Sequence, residues 1–352
     1  LRVELFDYRL PPRLIAQAPV EPRSGSRLLA VNCSTGERSH RLFRDLPLYL
    51  SAGDCVVFNR SRVRKARLKG VKEESGGRVE LLLLEEKGDG CWSALARPAR
   101  RLRPGTRLLL AGGRIRGEIR ERGKRGEVMV FLRTEDGCAM DEALERWGEM
   151  PLPPYIRRPC PDPDRYQTVY ASETGSVAAP TAGLHFDEEM IGDLRGKGVA
   201  TAFLRLDVGL DTFRPIEGEE VEGHRMHREW VEVDDEVCAE IGKARERGGR
   251  VVAVGTTTAR ALETASAGGE TEPFRGYTDL FIYPGYRFRA VDALLTNFHL
   301  PRSTLLVMIC AFAGRELVME VYREAVEKEY RFLSFGDACF FYYPGRWKPP
   351  SG

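Results

Sequence analysis

Long apolar runs, paired cysteines and net charge are all scarce in this chain of 352 residues, and each scarcity removes a class of protein. A membrane helix needs ~20 apolar residues in a row. The longest candidate, "LLVMICAFAG" at 305–314, is about half that and reads as a buried element. The opening "LRVELFDYRLPPRLIAQ" mixes charged and apolar residues, where a secretory leader would show a basic start and then an apolar run. The expectation is a soluble, cytoplasmic chain with no membrane partner. Eight cysteines are scattered without a CxxC pair. They read as reduced core thiols, which argues against a disulfide framework, a cysteine-only zinc site and redox chemistry.

A balance of only +2 hides an uneven distribution. Between Arg97 and Arg125 stand eleven basic residues, among them Arg97, Arg100, Arg101, Arg103, Arg122, Lys124 and Arg125, against Glu118 and Glu121 alone. That stretch carries +9, leaving −7 for the rest of the chain. Such a concentration is the footprint of a polyanionic partner, although a solvated basic face has the same composition.

With 42% apolar residues the chain can bury more than one core. The opening segment to about 62 ends in "GDCVVFNRSRV", a turn followed by a short buried-strand run. From 63 to 149 come short alternating runs such as "RVELLLLEE", "TRLLLAG" and "EVMVFLR", separated by Gly-rich turns every ten residues or so. This pattern predicts a small inserted all-β domain, a barrel or a sandwich, that carries the basic stretch. The Pro-rich "MPLPPYIRRPCPDPDRYQ" marks the crossing back. Beyond it strand and helix alternate, so 1–62 and 150–352 are expected to form one discontinuous catalytic domain of mixed α/β type.

Four segments carry candidate chemistry. "VVAVGTTTARALE" (251–263) runs from a buried strand through Gly255, Thr256, Thr257 and Thr258 into a helix. Backbone N–H groups and hydroxyls there can seat a carboxylate or phosphate, with Arg260 close by, though threonines also serve as plain caps. It lacks the lysine of a nucleoside-triphosphate loop. "HRMHREWVEVD" has His224 and His227 three apart, not the four of a HEXXH zinc helix. Its alternation reads as strand, which would put His227 and Glu229 on one face as a base and its orienting carboxylate. "TNFHLPRS" places Asn297 and His299 at the end of a buried strand before a Pro-bounded loop. "GSVAAPTAGLHF" (175–186) is uncharged and small, with Thr181, Gly183 and His185 as candidate contacts to a stacked neutral ring. A tight structural crossover uses the same alphabet.

Taken together, "FDYRLPPRLIAQAPVEPRSGSRLL", "MPLPPYI", "YQTVYA", "GSVAAPTAGLHF", "HRMHRE", "VVAVGTTTARALE", "FIYPGYRFRAVDALLTNFHLPRSTLL" and "YRFLSFGDA" resemble the S-adenosylmethionine:tRNA ribosyltransferase-isomerase family of queuosine biosynthesis, in order and over nearly the whole length. The resemblance implies a larger barrel-like α/β domain with a small β-barrel inserted early. It implies a pentosyl transferase, using S-adenosylmethionine as ribosyl donor and no metal, acting on tRNA that carries 7-aminomethyl-7-deazaguanine at the wobble position; a monomer is the expectation for the chain itself. The product would be epoxyqueuosine-tRNA, with adenine and methionine released. The sulfonium already acidifies the 5′ methylene, so the reaction needs a base there and donors for the departing adenine. His185 or the His227–Glu229 pair are the candidate bases. Gly255 to Thr258 with Arg260 would hold the methionine carboxylate, and Tyr283, Asn297 and His299 would line the ribose or base pocket.

One segment departs from the family's "LHVGxGTF": this chain reads "LDVGLDTF", with Asp207 for His and Asp211 for Gly. A carboxylate accepts a proton or faces a cation but cannot donate as imidazolium does. A second reading is therefore an RNA-binding homologue with weakened catalysis, distinguished by whether free adenine appears. A third, a metal-dependent hydrolase using His224, His227 and Glu229, would be abolished by chelation.

Overall fold

The computed structural model describes residues 1–158, 160, 162–209 and 215–347; Asp211 lies outside them. The chain divides into two compact units, Leu1–Arg62 with Pro154–Gly352, and Val63–Pro153.

In the smaller unit six antiparallel strands close into a barrel, in the order Glu127–Thr134, Cys91–Arg97, Arg78–Gly88, Arg67–Lys72, Arg107–Leu110, Ile115–Arg122. Alternation decides which way each side chain points. Val79, Leu81 and Leu83 of one strand turn inward, as do Val128, Val130 and Leu132 of another, around the fully buried Trp92. The helix Met140–Trp147 adds Ala143 and Leu144 to this core.

The larger unit is built on a nine-stranded mixed sheet, in the order Phe274–Thr278, Glu229–Val233, Ala200–Leu206, Cys55–Asn59, Val251–Val254, Ala293–Asn297, Ala338–Tyr342, Arg27–Asn32, Arg38–Leu42. Its central strands are apolar throughout because both faces are covered. Cys55 and Val57 belong to the core on one face, Val56 and Phe58 to the core on the other. A mixed α/β fold with an inserted closed barrel is thus what the sequence pattern called for.

The helices start where the sequence places caps. Asp187 accepts from Met190 N at 2.9 Å ahead of Glu188–Gly196, and Asp234 from Val237 N at 3.0 Å ahead of Asp235–Glu246. The run at 305–314 forms most of the helix Thr304–Ala313, every residue of which is buried. Among the described residues no helix is long and apolar enough to cross a membrane.

Candidate functional site

Four neighbouring strands, Ala200–Leu206, Cys55–Asn59, Val251–Val254 and Ala293–Asn297, run parallel. Their carboxyl ends therefore share one edge of the sheet, the edge at which open α/β sheets bind ligands. That edge gathers Asp207, Gly255 to Thr258, and Asn297 from segments up to 90 residues apart in sequence. Glu229 joins them because its strand runs antiparallel to Ala200–Leu206 and begins there.

Gly255 makes the turn. Its φ of +97° and ψ of 150° suit glycine alone, and its N–H donates to Leu295 O at 2.8 Å. The helix Thr256–Ala265 that follows has no side-chain cap. Thr258 donates its hydroxyl to Val254 O at 2.7 Å, whereas Thr257 Oγ1 is buried with no partner. Arg260, one turn on, is 3% exposed and pairs through Nη2 with Glu229, while its Nε has no partner. Glu229 also accepts from Gly209 N at 2.7 Å. Burial lowers the Arg260 guanidinium to about 10, so it stays charged at neutral pH.

A second group forms around Asn297. Thr181 Oγ1 donates to Asn297 Oδ1 at 3.1 Å, and Asn297 Nδ2 donates to Leu333 O at 3.2 Å. Leu333 O can only accept, so that nitrogen is the amide donor and His185 Nε2, 3.1 Å from it, accepts. His185 Nδ1 is left to donate to Ser26 Oγ at 2.7 Å. The ring stacks on Phe43, centroids 4.9 Å apart. Burial lowers His185 to about 3, with the charges of Arg331, Arg165 and Arg23 adding to the effect. Both nitrogens of this neutral ring are in use, so it holds Asn297 and Ser26 in register and would have to release Asn297 before taking a proton.

The remaining sequence candidates are placed as follows. A Cβ on Gly183 would fall 2.0 Å from Tyr170 Oη, so the space its smallness leaves is filled by the protein's own phenol. Of the two readings of that uncharged segment, tight crossover describes Gly183 better than a ligand wall. His299 is buried, with Nε2 2.7 Å from Thr296 Oγ1, and burial lowers it too to about 3. The strand expected to align His227 with Glu229 begins only at Glu229. His227 is exposed on the preceding irregular segment while Glu229 is buried against Arg260, so strand alternation does not place them on one face.

His224 packs edge-on against Phe281 at 5.3 Å. Among the described residues no group of three or more His, Cys, Asp or Glu stands together as a metal site would need. Tyr283 is half-buried and packs on Phe281. Asp207 is held by Arg205 through both oxygens, at 3.0 and 2.7 Å, and Arg205 also reaches Glu173 at 3.1 Å. Thr304, Met308 and Met226 were missed. They close a small cavity with Thr256, Thr257 and Arg260. The "RST" ahead of the apolar run signalled a helix start but not what it would face.

In the barrel unit, Arg97, Arg100, Arg101, Arg103, Arg122, Lys124 and Arg125 are all exposed. Chain pairing brings them to one rim. Ala96 N donates to Gly126 O at 2.9 Å, which sets the 123–126 hairpin beside the 97–101 segment, and Ile119 N donates to Thr106 O at 3.0 Å, which adds the 103–106 turn. Arg116 and Arg120, on the strand Ile115–Arg122, are tied to acids, Arg116 to Glu73 and Glu135 and Arg120 to Glu118.

The larger unit is thus a mixed α/β sheet with polar residues gathered at the carboxyl edge of its parallel strands, and the smaller a closed barrel with a basic rim. Comparison with known proteins names the family. Residues 3–341 match the model of the family described as "Queuosine biosynthesis protein". S-adenosylmethionine:tRNA ribosyltransferase-isomerase of Symbiobacterium thermophilum is 50% identical over 339 residues, 96% of this chain and 99% of that protein. The protein of the same name from Caldanaerobacter subterraneus subsp. tengcongensis is 49% identical, over 95% and 97%. The crystal structure of S-adenosylmethionine tRNA ribosyltransferase from Thermotoga maritima superposes with a TM-score of 0.56 at 39% identity, covering 96% of this chain and 99% of that one. The chain belongs to this family of queuosine-biosynthesis transferase-isomerases and is an enzyme.

Proposed function

We propose that the chain transfers the ribosyl group of S-adenosylmethionine onto the aminomethyl arm of 7-aminomethyl-7-deazaguanine in tRNA, isomerising it to the epoxycyclopentanediol of epoxyqueuosine and releasing adenine and methionine in the cytoplasm. The observation that carries this reading is the convergence of Gly255, Thr256, Thr257, Asn297 and Glu229 on the carboxyl edge of one sheet, in a chain half identical to relatives named for this activity.

The donor's methionine carboxylate sits on the uncapped start of the helix Thr256–Ala265, where free N–H groups and the positive end of the helix dipole face it. Arg260, held by Glu229, adds a donor. His185 is a positioning residue, fixing the Asn297 amide that lies beside the reacting end. His227, whose neighbour Met226 lines the cavity, has the exposed imidazole suited to accept the 5′ proton. The exposed rim from Arg97 to Arg125 grips the tRNA backbone.

The test is incubation of the full chain with S-adenosylmethionine and tRNA bearing 7-aminomethyl-7-deazaguanine. Free adenine and methionine should appear in step with an epoxyqueuosine nucleotide by mass spectrometry, and His227→Ala should slow single turnover by about 100-fold. Absence of adenine would overturn the function, and an unchanged rate in the variant would overturn only the role of His227.

A further inference from the structure

Two ten-residue helices, Thr256–Ala265 and Thr304–Ala313, begin on either side of one small cavity. Three residues of its lining each carry a buried polar atom with no partner: Thr257 Oγ1, Arg260 Nε and Thr304 Oγ1, on residues 8%, 3% and 5% exposed. Native interiors pair nearly all such groups, so three together in one lining call for a ligand that supplies acceptors. Every one of them can donate, and both helix starts present positive dipole ends.

We infer that the start of the helix Thr304–Ala313 is the second jaw of a clamp for the α-carboxylate of the donor's amino-acid end, with Thr304 the residue that selects donors carrying that group. This rests on the function proposed above and adds a recognition element to it. The charge of Arg260 is already answered by Glu229, so selection comes from directed donors and not from a bare cation. The apolar remainder of the lining, with Met226, Phe281 and Met308, suits the methylenes between that carboxylate and the sulfur. The enclosed space is about 10 Å³, room for one water at most. Room for a larger group therefore requires that the wall without regular structure, Met226 and 280–282, give way. A clamp of this kind also holds free methionine, so the released product competes with the donor.

Calorimetric binding to the full chain would compare S-adenosylmethionine, its decarboxylated analogue and L-methionine. Wild type should bind the analogue about 10-fold or more weakly than the parent. Thr304→Val should weaken the parent by a similar factor, leave the analogue unchanged and abolish competition by methionine, and Thr304→Ser should restore all three. Equal affinity for parent and analogue, or parallel weakening of both by the variant, would overturn the clamp. Should Thr304→Val fail to fold, Thr257→Val makes the same comparison. Adenine release from both donors at equal KM would sink the clamp and leave the proposed function standing, whereas no adenine from either would sink both.

Discussion

His185 and His299 are both neutral because both are buried, each lowered from 6.5 to about 3. The unfolded chain therefore takes up protons that the native state refuses, and native stability falls as pH drops from about 6.5 toward 3. Each ring contributes at most about 1.4 kcal/mol per pH unit in that window. Urea denaturation between pH 7 and 4.5 should show the fall, and His299→Gln should flatten it. An unchanged slope in the variant would mean that this ring is protonated in the native state. The polar logic around these rings was only partly legible. The sequence marked His185, Asn297 and Thr181 as polar residues in small or apolar surroundings, but their hydrogen bonds to each other span more than 100 residues. Ser26, which completes the chain, carried no signal of its own.

Among the elements, the strand–turn–helix 251–265 was the most readable, because an apolar β-branched run and a glycine turn are local signals, although the threonines after it do not cap the helix. The 175–186 segment was the least, since smallness is the same whether a ligand or a neighbouring ring fills the gap. Here the neighbour is Tyr170, whose ring packs against Phe58 and Phe203 and whose hydroxyl is buried without a partner. Gly183→Ala should cost about 1–3 kcal/mol through overpacking. Tyr170→Phe in the same chain should recover at least half of it, as read from denaturation midpoints in a double-mutant cycle. A loss that Tyr170→Phe leaves untouched would place the clash elsewhere.

At the scale of the molecule, affinity for tRNA is expected to fall steeply with salt, because phosphate contacts release counterions. Replacing Arg100, Arg122 and Lys124 by Ala should reduce the log–log slope by about 2–3, with filter binding between 50 and 200 mM salt as the readout. Binding indifferent to ionic strength would remove the rim from the RNA contact. The basic stretch was plain in composition, yet composition did not distinguish the rim from Arg116 and Arg120, whose charges are answered by acids on the same unit.

Local order dictated much of this protein: apolar period, caps and Gly-rich turns depend on residues within a few positions of one another, and a single sequence displays them. Its motifs likewise announced a family. What only tertiary structure decided is which of those residues meet. Strand order brought Glu229 to Arg260 instead of His227 and turned two helix starts toward one cavity, since a contact across the sheet depends on register and burial that no short stretch contains.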